Sequence, residues 1–451
     1  MLPVAHLDLD AFYAAVEERQ KPSLRGRAVV IAGRGGRGVV ATANYKAREL
    51  GVHSAMPSWQ GRALAPTAAW ISPRMQAYSE HSAAALAPLY ATFERIEQIA
   101  SDEVYIDLTS ARAGAELRHD WTGDPAGAAR ALQRAVLRAV GLTCSVGVAR
   151  HKLGAKLTSE TAKPAGTAVL AADEEDAFLA ALPAKALPGI GPVSAQKLGS
   201  AGIRTVGDLR SAGEHTLVGL LGSAHGTAMW DLAHGRDTRP VEHERVRKSV
   251  GSERTYARDL HGLDEVRAAL GPVFADAYSR LVRSGSAART VTVKLRYADF
   301  TGETRATSLA APSDDERLLH DAAQRSLVAS GAARPGALGI RLLGVAFSSL
   351  DEVTQLTLDA PERVVHDLAE PAEDPDEVEQ SAGAIVAEDS APGADVLHES
   401  LGRGWLVGAG HGVASVRFET STSAPARTRG VPLGDALRHT SPEPPRPEPD
   451  A

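Results

Sequence analysis

The sequence has a single cysteine, Cys144, among 451 residues. No internal disulfide can form, which excludes the disulfide-framed secreted classes and fits a reducing compartment. No stretch reaches the roughly 18 apolar residues of a membrane span. The first residues enter a strand pattern with neither the basic nor the apolar segment of a leader. A soluble, cytoplasmic chain is expected. No GxxxxGK[ST] phosphate loop occurs, so Gly35 and Gly36 read as a turn. Lysine is missing from residue 361 onward, where seventeen acids face seven arginines for a net of −10. The whole chain carries −7, so residues 1–360 carry +3, and the acidic end masks a mildly basic body. Hydrophobic residues make up 43%, enough for sizeable cores. The length suits about two to four domains.

Two short runs organise the rest: HLDLDAFY (His6–Tyr13) and SDEVYID (Ser101–Asp107). Read as strands, the first puts Asp8 and Asp10 on one face and Leu7 and Leu9 on the other, with Tyr13 at its end. Asp102 and Glu103 sit at the mouth of the second. Carboxylates at strand ends make sense if a divalent cation collects them, because hard cations take oxygen ligands. Between these runs, the strand Val39–Thr42 leads through Asn44, a good N-cap, into a helix. Tyr45 and Arg48 fall three apart on one face of that helix, and Arg48 is placed to reach a phosphate.

Further along, helices are expected over 75–95, 125–140 and 151–161, with a strand over Thr143–Ala149 and the loop AKPAG carrying Lys163. Gly154 stands where a helix former is expected, at a cost of about 1 kcal/mol. The pattern suits a sheet with helices on one face, an α+β arrangement. LPGIGPVSAQKL (Leu187–Leu198) reads as two helices joined by a tight turn at Gly189 and Gly191, a helix-hairpin-helix that grips a DNA backbone. A polar stretch over 236–250 holds Arg245, Arg247 and Lys248, a linker composition that can lie along phosphates. In TVTVKLRYADF (Thr290–Phe300), Val291, Val293 and Leu295 alternate with Thr292, Lys294 and Arg296, giving a sheet with one apolar and one basic face. The stretch Pro361–Asp395 has the composition of a disordered segment. Val396–Thr420 shows short strands between glycine turns, and Ser441–Ala451 is proline- and acid-rich.

Six motifs in order, HLDLDAFYAAVE, VVATANYKARELGV, SDEVYIDL, SVGVARHKLGAKL with AKPAG, LPGIGPVSAQKL and RKSVGSERT, resemble the Y-family translesion DNA polymerases, in their bacterial DNA polymerase IV branch. The similarity runs from about Val4 to Leu358, and the C-terminal extension has the actinobacterial look. The resemblance implies an α+β multidomain, right-hand polymerase. Its parts are a palm (1–10 and 75–165), fingers (11–74), a helical thumb (166–238), a linker (239–248) and an α/β little finger (249–358). Beyond these are expected an acidic linker (359–395), a small β module (396–420) and a disordered tail (421–451).

Residue by residue, the resemblance implies that Asp8, Asp102 and Glu103 are catalytic and, with the Leu9 carbonyl, bind two Mg²⁺ ions. Thr42, Tyr45, Arg48 and Lys163 match the residues that hold the incoming triphosphate. Tyr13, beside Phe12, matches the steric gate under the sugar, and Asp10 is structural. Gly189, Gly191, Arg247 and Lys248 would contact DNA. Gln355, Leu356 and Leu358, within Thr354–Ala360, would enter a groove on the sliding clamp. Primer-template DNA and deoxynucleoside triphosphates are the implied substrates, for a monomeric enzyme without an exonuclease domain. The alternative is an adaptor of the same family that binds DNA and clamp but synthesises little; the intact carboxylates favour the enzyme.

Overall fold

The computed structural model describes residues 2–117, 119–242, 248–334, 336–352, 382–434 and 436–448. The chain divides into two compact units, one of residues 1–20, 76–245 and 442–451, the other of residues 21–75 and 246–441. Among the described residues no helix is long and apolar enough to cross a membrane.

The first unit is built on a five-stranded sheet in the order Ile96–Gln98, Glu103–Asp107, Val4–Leu9, Cys144–Ala149, Thr167–Val169. Only the last pair is parallel. Val4–Leu9 is central, and Ala5, His6, Leu7 and Leu9 are all buried, as expected of a strand covered on both faces. It is shorter than the sequence suggests: it stops at Leu9, and Phe12–Gln20 is a helix. Ala11, at φ 45°, makes the turn between them. Tyr13 therefore rides on a helix and does not end a strand.

The helix Pro125–Val140 starts with Asp124 capping Gly127 and a proline in its first turn, and it stops at Gly141, φ 68°. Lys152–Thr161 lies on the strand Cys144–Ala149 at close range. A Cβ on Gly147 would come within 2.3 Å of Ala155 O and Ser159 N, and one on Gly154 within 2.9 Å of Ala149 Cβ. Gly154 thus gives up helix propensity for this approach. Five helices follow between Glu175 and Ala233, around a core of Leu179, Leu198, Val206, Leu209, Leu217 and Met229. The described end of the chain is ordered on this unit, against the expectation of disorder: Gln20 donates to Glu443 O (2.6 Å), Glu448 N to Arg138 O (2.8 Å), and Arg19 pairs with Glu448 (2.6 Å).

Among its described residues the second unit has three sheets. Val40–Ala43, Val29–Ala32 and Ala69–Ile71 form a three-stranded one, with helices Tyr45–Glu49 and Ser58–Leu64 beside it. Gly302–Ser313, Ser286–Tyr297, Ile340–Glu352 and Ser249–Leu260 form an antiparallel four-stranded one. Its inner face packs Val291, Val293 and Leu295 on helices Gly262–Arg283 and Glu316–Val328. Its other face is less purely basic than the alternation implies, because Lys294 pairs with Glu253 across the sheet (2.8 Å).

The third sheet, antiparallel, orders Arg429–Pro432, Val413–Arg417, Gly402–Gly410, Asp395–His398 and Leu437–His439 around Val386, Val396, Leu406, Val416, Val431 and Leu437. This module begins before Val396 and runs past Thr420. The expected disordered tail from 421 is corrected, as is the linker over 382–395. Val431 and Leu437 lie in strands of four and three residues, too short for alternation to register, yet both are buried.

Candidate active site

Antiparallel pairing places Asp8 directly opposite Glu103, and Leu9 N donates to Asp102 O at 2.9 Å, which closes the ladder at that end. The three acids therefore share one end of the central strands. Burial raises the pKa of Asp8, and the charge of Asp102 adds to it; burial likewise raises Asp102. Two lysines oppose this acidity. Lys163 Nζ lies 2.8 Å from Asp8 Oδ2 and 2.7 Å from Glu160 Oε2, while Lys156 Nζ pairs with Glu103. Burial pulls Lys163 down, but its hydrogen bonds to Asp8 and Glu160 outweigh that and leave its pKa raised. Burial lowers Lys156.

Glu103 is also held from behind. His6 Nε2 is 2.5 Å from Glu103 Oε1, and His6 Nδ1 is 2.7 Å from Ser159 Oγ. Burial, helped by the charge of Lys156, takes the His6 pKa down to about 3. The neutral ring has a single N–H, and the Glu103 carboxylate beside Nε2 can only accept it. Among the described residues no three Asp, Glu, His or Cys side chains converge as metal ligands; Asp8 and Glu103 are each taken up by a lysine. Asp10 is not with them. It is buried, and its carboxylate accepts from Ser145 Oγ (2.8 Å) and Ala165 N (2.9 Å), which ties the Lys163 loop to the central strand.

Phe12, the first residue of the helix Phe12–Gln20, is buried, and the Tyr13 ring stacks on Tyr78 at 4.2 Å and 9°. Tyr78 is itself fixed by donating its hydroxyl to Glu17 (2.8 Å). In the second unit, Asn44 caps its helix by accepting from Ala47 N (3.0 Å) and also accepts from Val29 N (3.1 Å). That fixes Thr42, Tyr45 and Arg48 as a group: the Arg48 guanidinium lies 4.8 Å from the Tyr45 ring centroid, with its Nε donating to Ala43 O (2.8 Å). The helix is only Tyr45–Glu49, closed off by Gly51 at φ 87°. Gly189 takes φ 102°, and Gly191 caps the helix Pro192–Ser200 with open space where a side chain would be. Lys248 is exposed; Arg247, Gln355, Leu356 and Leu358 lie outside the described residues.

Residues 7–160 match the impB/mucB/samB family, residues 247–359 its C-terminal domain, and residues 185–237 the thumb domain of DNA polymerase-iota. A DNA polymerase IV of Streptomyces coelicolor is 42% identical over 96% of this chain and 88% of its own. The chain belongs to the Y-family DNA polymerases.

This polymerase is also 35% identical to the DNA polymerase IV of Corynebacterium diphtheriae, across 96% of each chain. A solved Y-family DNA polymerase chimera of Dbh and Dpo4 superposes with a TM-score of 0.68 at 27% identity, covering 77% of this chain and 99% of that one. An insertion ternary complex of Dbh DNA polymerase gives 0.56 at 27%, covering 76% and 98%. The chain is accordingly a DNA-directed DNA polymerase of α+β multidomain build, acting on DNA and nucleotides.

Sequence reasoning did not single out His6, Lys156, Ser159 or Tyr78. His6 and Lys156 lie inside quoted motifs, but pairing them with Glu103 requires the strand register. Tyr78 sits in an ordinary helical pattern, and nothing in its spacing points to Tyr13.

Proposed function

We propose that this Y-family polymerase extends primers across damaged template bases, at low fidelity and without proofreading, by two-metal nucleotidyl transfer with Mg²⁺. The observation that carries the reading is the facing of Asp8 and Glu103 on neighbouring strands, with Asp102 next to Glu103. Three carboxylates and the Leu9 carbonyl are the oxygen donors that Mg²⁺ takes. Asp8 and Asp102 are made costly as anions by burial, so the donor set fits a cation. When bound, two such ions lower the pKa of a primer 3′-hydroxyl and steady the departing pyrophosphate.

The chain's own groups do the rest. Asp8, Asp102 and Glu103 hold the ions, and neutral His6 keeps Glu103 aimed. Lys163, Thr42, Tyr45 and Arg48 are the cations and donors that stabilise the charge building on the phosphates. Tyr13, backed by Tyr78 and Phe12, blocks a 2′-hydroxyl by contact. Gly189 and Gly191 let the thumb hairpin approach a DNA backbone, assisted by Arg247 and Lys248 in the linker. Gln355, Leu356 and Leu358 engage the sliding clamp, and the enzyme works as a cytoplasmic monomer.

Asp8→Ala and Glu103→Ala test the core of this. Each should abolish primer extension in Mg²⁺ while primer-template affinity stays nearly unchanged. An equal loss of binding would overturn the metal assignment. If the unsubstituted protein binds primer-template but does not extend it, the adaptor reading replaces the enzyme.

A further inference from the structure

The C-terminal β module lies beyond all three family matches, which end at residue 359. It nonetheless packs on residues 21–75, the segment that carries Thr42, Tyr45 and Arg48. Arg74 and Asp395 form an ion pair at 2.5 Å with side chains only 8% and 10% exposed. Ser72 N donates to Pro392 O at 3.0 Å, just past the edge strand Ala69–Ile71. Gly393, at φ 96°, comes so near that a Cβ there would lie 2.4 Å from Ile71 Cγ2.

A second anchor is Glu419, which is buried and has its charge satisfied from both sides of the contact. Ser23 donates to it through its hydroxyl (2.5 Å) and its amide (3.2 Å). Trp405 Nε1 (2.8 Å) and Ala426 N (2.6 Å) donate from within the module. Buried, paired charges are the marks of a fixed contact, since either partner alone would leave an unpaired charge.

We propose that this module is a working part of the fingers, docked in cis to hold the edge strand and thereby the helix that presents Arg48. The connection is short. Ala69, Trp70 and Ile71 pair with Val29, Val30 and Ile31, and Val29 exchanges hydrogen bonds with Asn44 in both directions, donating to its Oδ1 (3.1 Å) and accepting from its amide (3.0 Å). Asn44 caps the helix Tyr45–Glu49. Two backbone steps therefore separate the docked edge from the cap that sets Arg48. The alignment with the Streptomyces polymerase spans 96% of this chain, so it takes in the module as well. The proposal rests on the reading of Thr42, Tyr45 and Arg48 as triphosphate ligands.

The test uses the full chain with Arg74→Glu, Asp395→Arg and the two combined, which restores an opposite-charge pair in reversed order. Hydrogen exchange at the Ser72 and Ser23 amides reports docking directly, and primer extension gives KM for the nucleotide separately from kcat. Each single variant should deprotect both amides and raise KM by roughly 2- to 30-fold, the range that coupling through packed elements spans, with less change in kcat. The double variant should recover protection and KM together.

Unchanged protection in both single variants would overturn the docking. Deprotected amides with an unchanged KM, in a protein where Arg48→Ala does raise KM, would overturn the coupling and leave the triphosphate reading standing. No change of KM in Arg48→Ala would overturn that reading itself, and the coupling with it.

Discussion

Asp10 stands two residues from Asp8, and its sequence position alone makes it a candidate ligand. Its geometry makes it a strut: 4% exposed, it accepts from Ser145 Oγ at 2.8 Å and from Ala165 N at 2.9 Å. Asp10→Ala strips the acceptor from the Ala165 amide and from the fully buried Ser145 hydroxyl, and a buried donor left unsatisfied costs about 1–3 kcal/mol. For a unit of this size each kcal/mol lowers Tm by about 2–4 °C. Asp10→Asn keeps both contacts, since its carbonyl can accept from Ala165 N and its amide can donate to the Ser145 hydroxyl. It should therefore cost less than about 1 kcal/mol. Calorimetry and primer extension on the two variants separate the cases. Asp10→Ala should lose stability and, by freeing the Lys163 loop, part of its activity. Asp10→Asn should keep both, whereas Asp8→Asn should keep its fold and lose extension. A stable Asp10→Asn protein that cannot extend a primer would refute this reasoning, because it would show that the charge of Asp10, and not its hydrogen bonds, is what the reaction uses.

Tyr13→Ala should admit ribonucleotides, and Tyr78→Ala should do so to a smaller extent by removing the ring on which Tyr13 stacks; unchanged sugar discrimination in Tyr13→Ala would refute the gate. Burial holds the Asp8 and Asp102 pKa values above their unfolded ones, so in the metal-free protein the folded state is favoured in acid and this contribution is lost as pH rises through the carboxylate range. Mg²⁺ binds the anionic forms. It should therefore raise Tm more at neutral pH than in mild acid, and an equal rise at both in a thermal melt would count against cation binding by these acids.

Much of the site is written locally. The strand bearing Asp8, the mouth of the SDEVYID strand and the Asn44 cap follow from alternation and cap chemistry, and each has its expected place. What was not legible depends on contacts remote in sequence. His6 meets Glu103 only through the register of two strands, and Lys156 only because Gly147 and Gly154 let its helix settle onto the sheet. HLDLDAFY alternates past the point where Ala11 turns the chain, so its pattern alone puts Tyr13 at a strand end. The full extent of the module does not show in the sequence, because its outer strands are too brief to show a period and their burial comes from neighbours far along the chain.

The central position of Val4–Leu9 also bears on synthesis. Its two neighbours are Glu103–Asp107 and Cys144–Ala149, so a ribosome must deliver more than a hundred further residues before this early strand is flanked on both sides. Such long-range pairing is slow to form and leaves apolar strand edges open meanwhile. Asp8 therefore waits in the nascent chain for Glu103, and then for Lys163, which arrives later still. A prematurely terminated fragment ending before residue 144 lacks the second flank and the lysines that balance the acids. Truncated translation products should accordingly be targets for chaperones and proteases, and not polymerases of reduced quality.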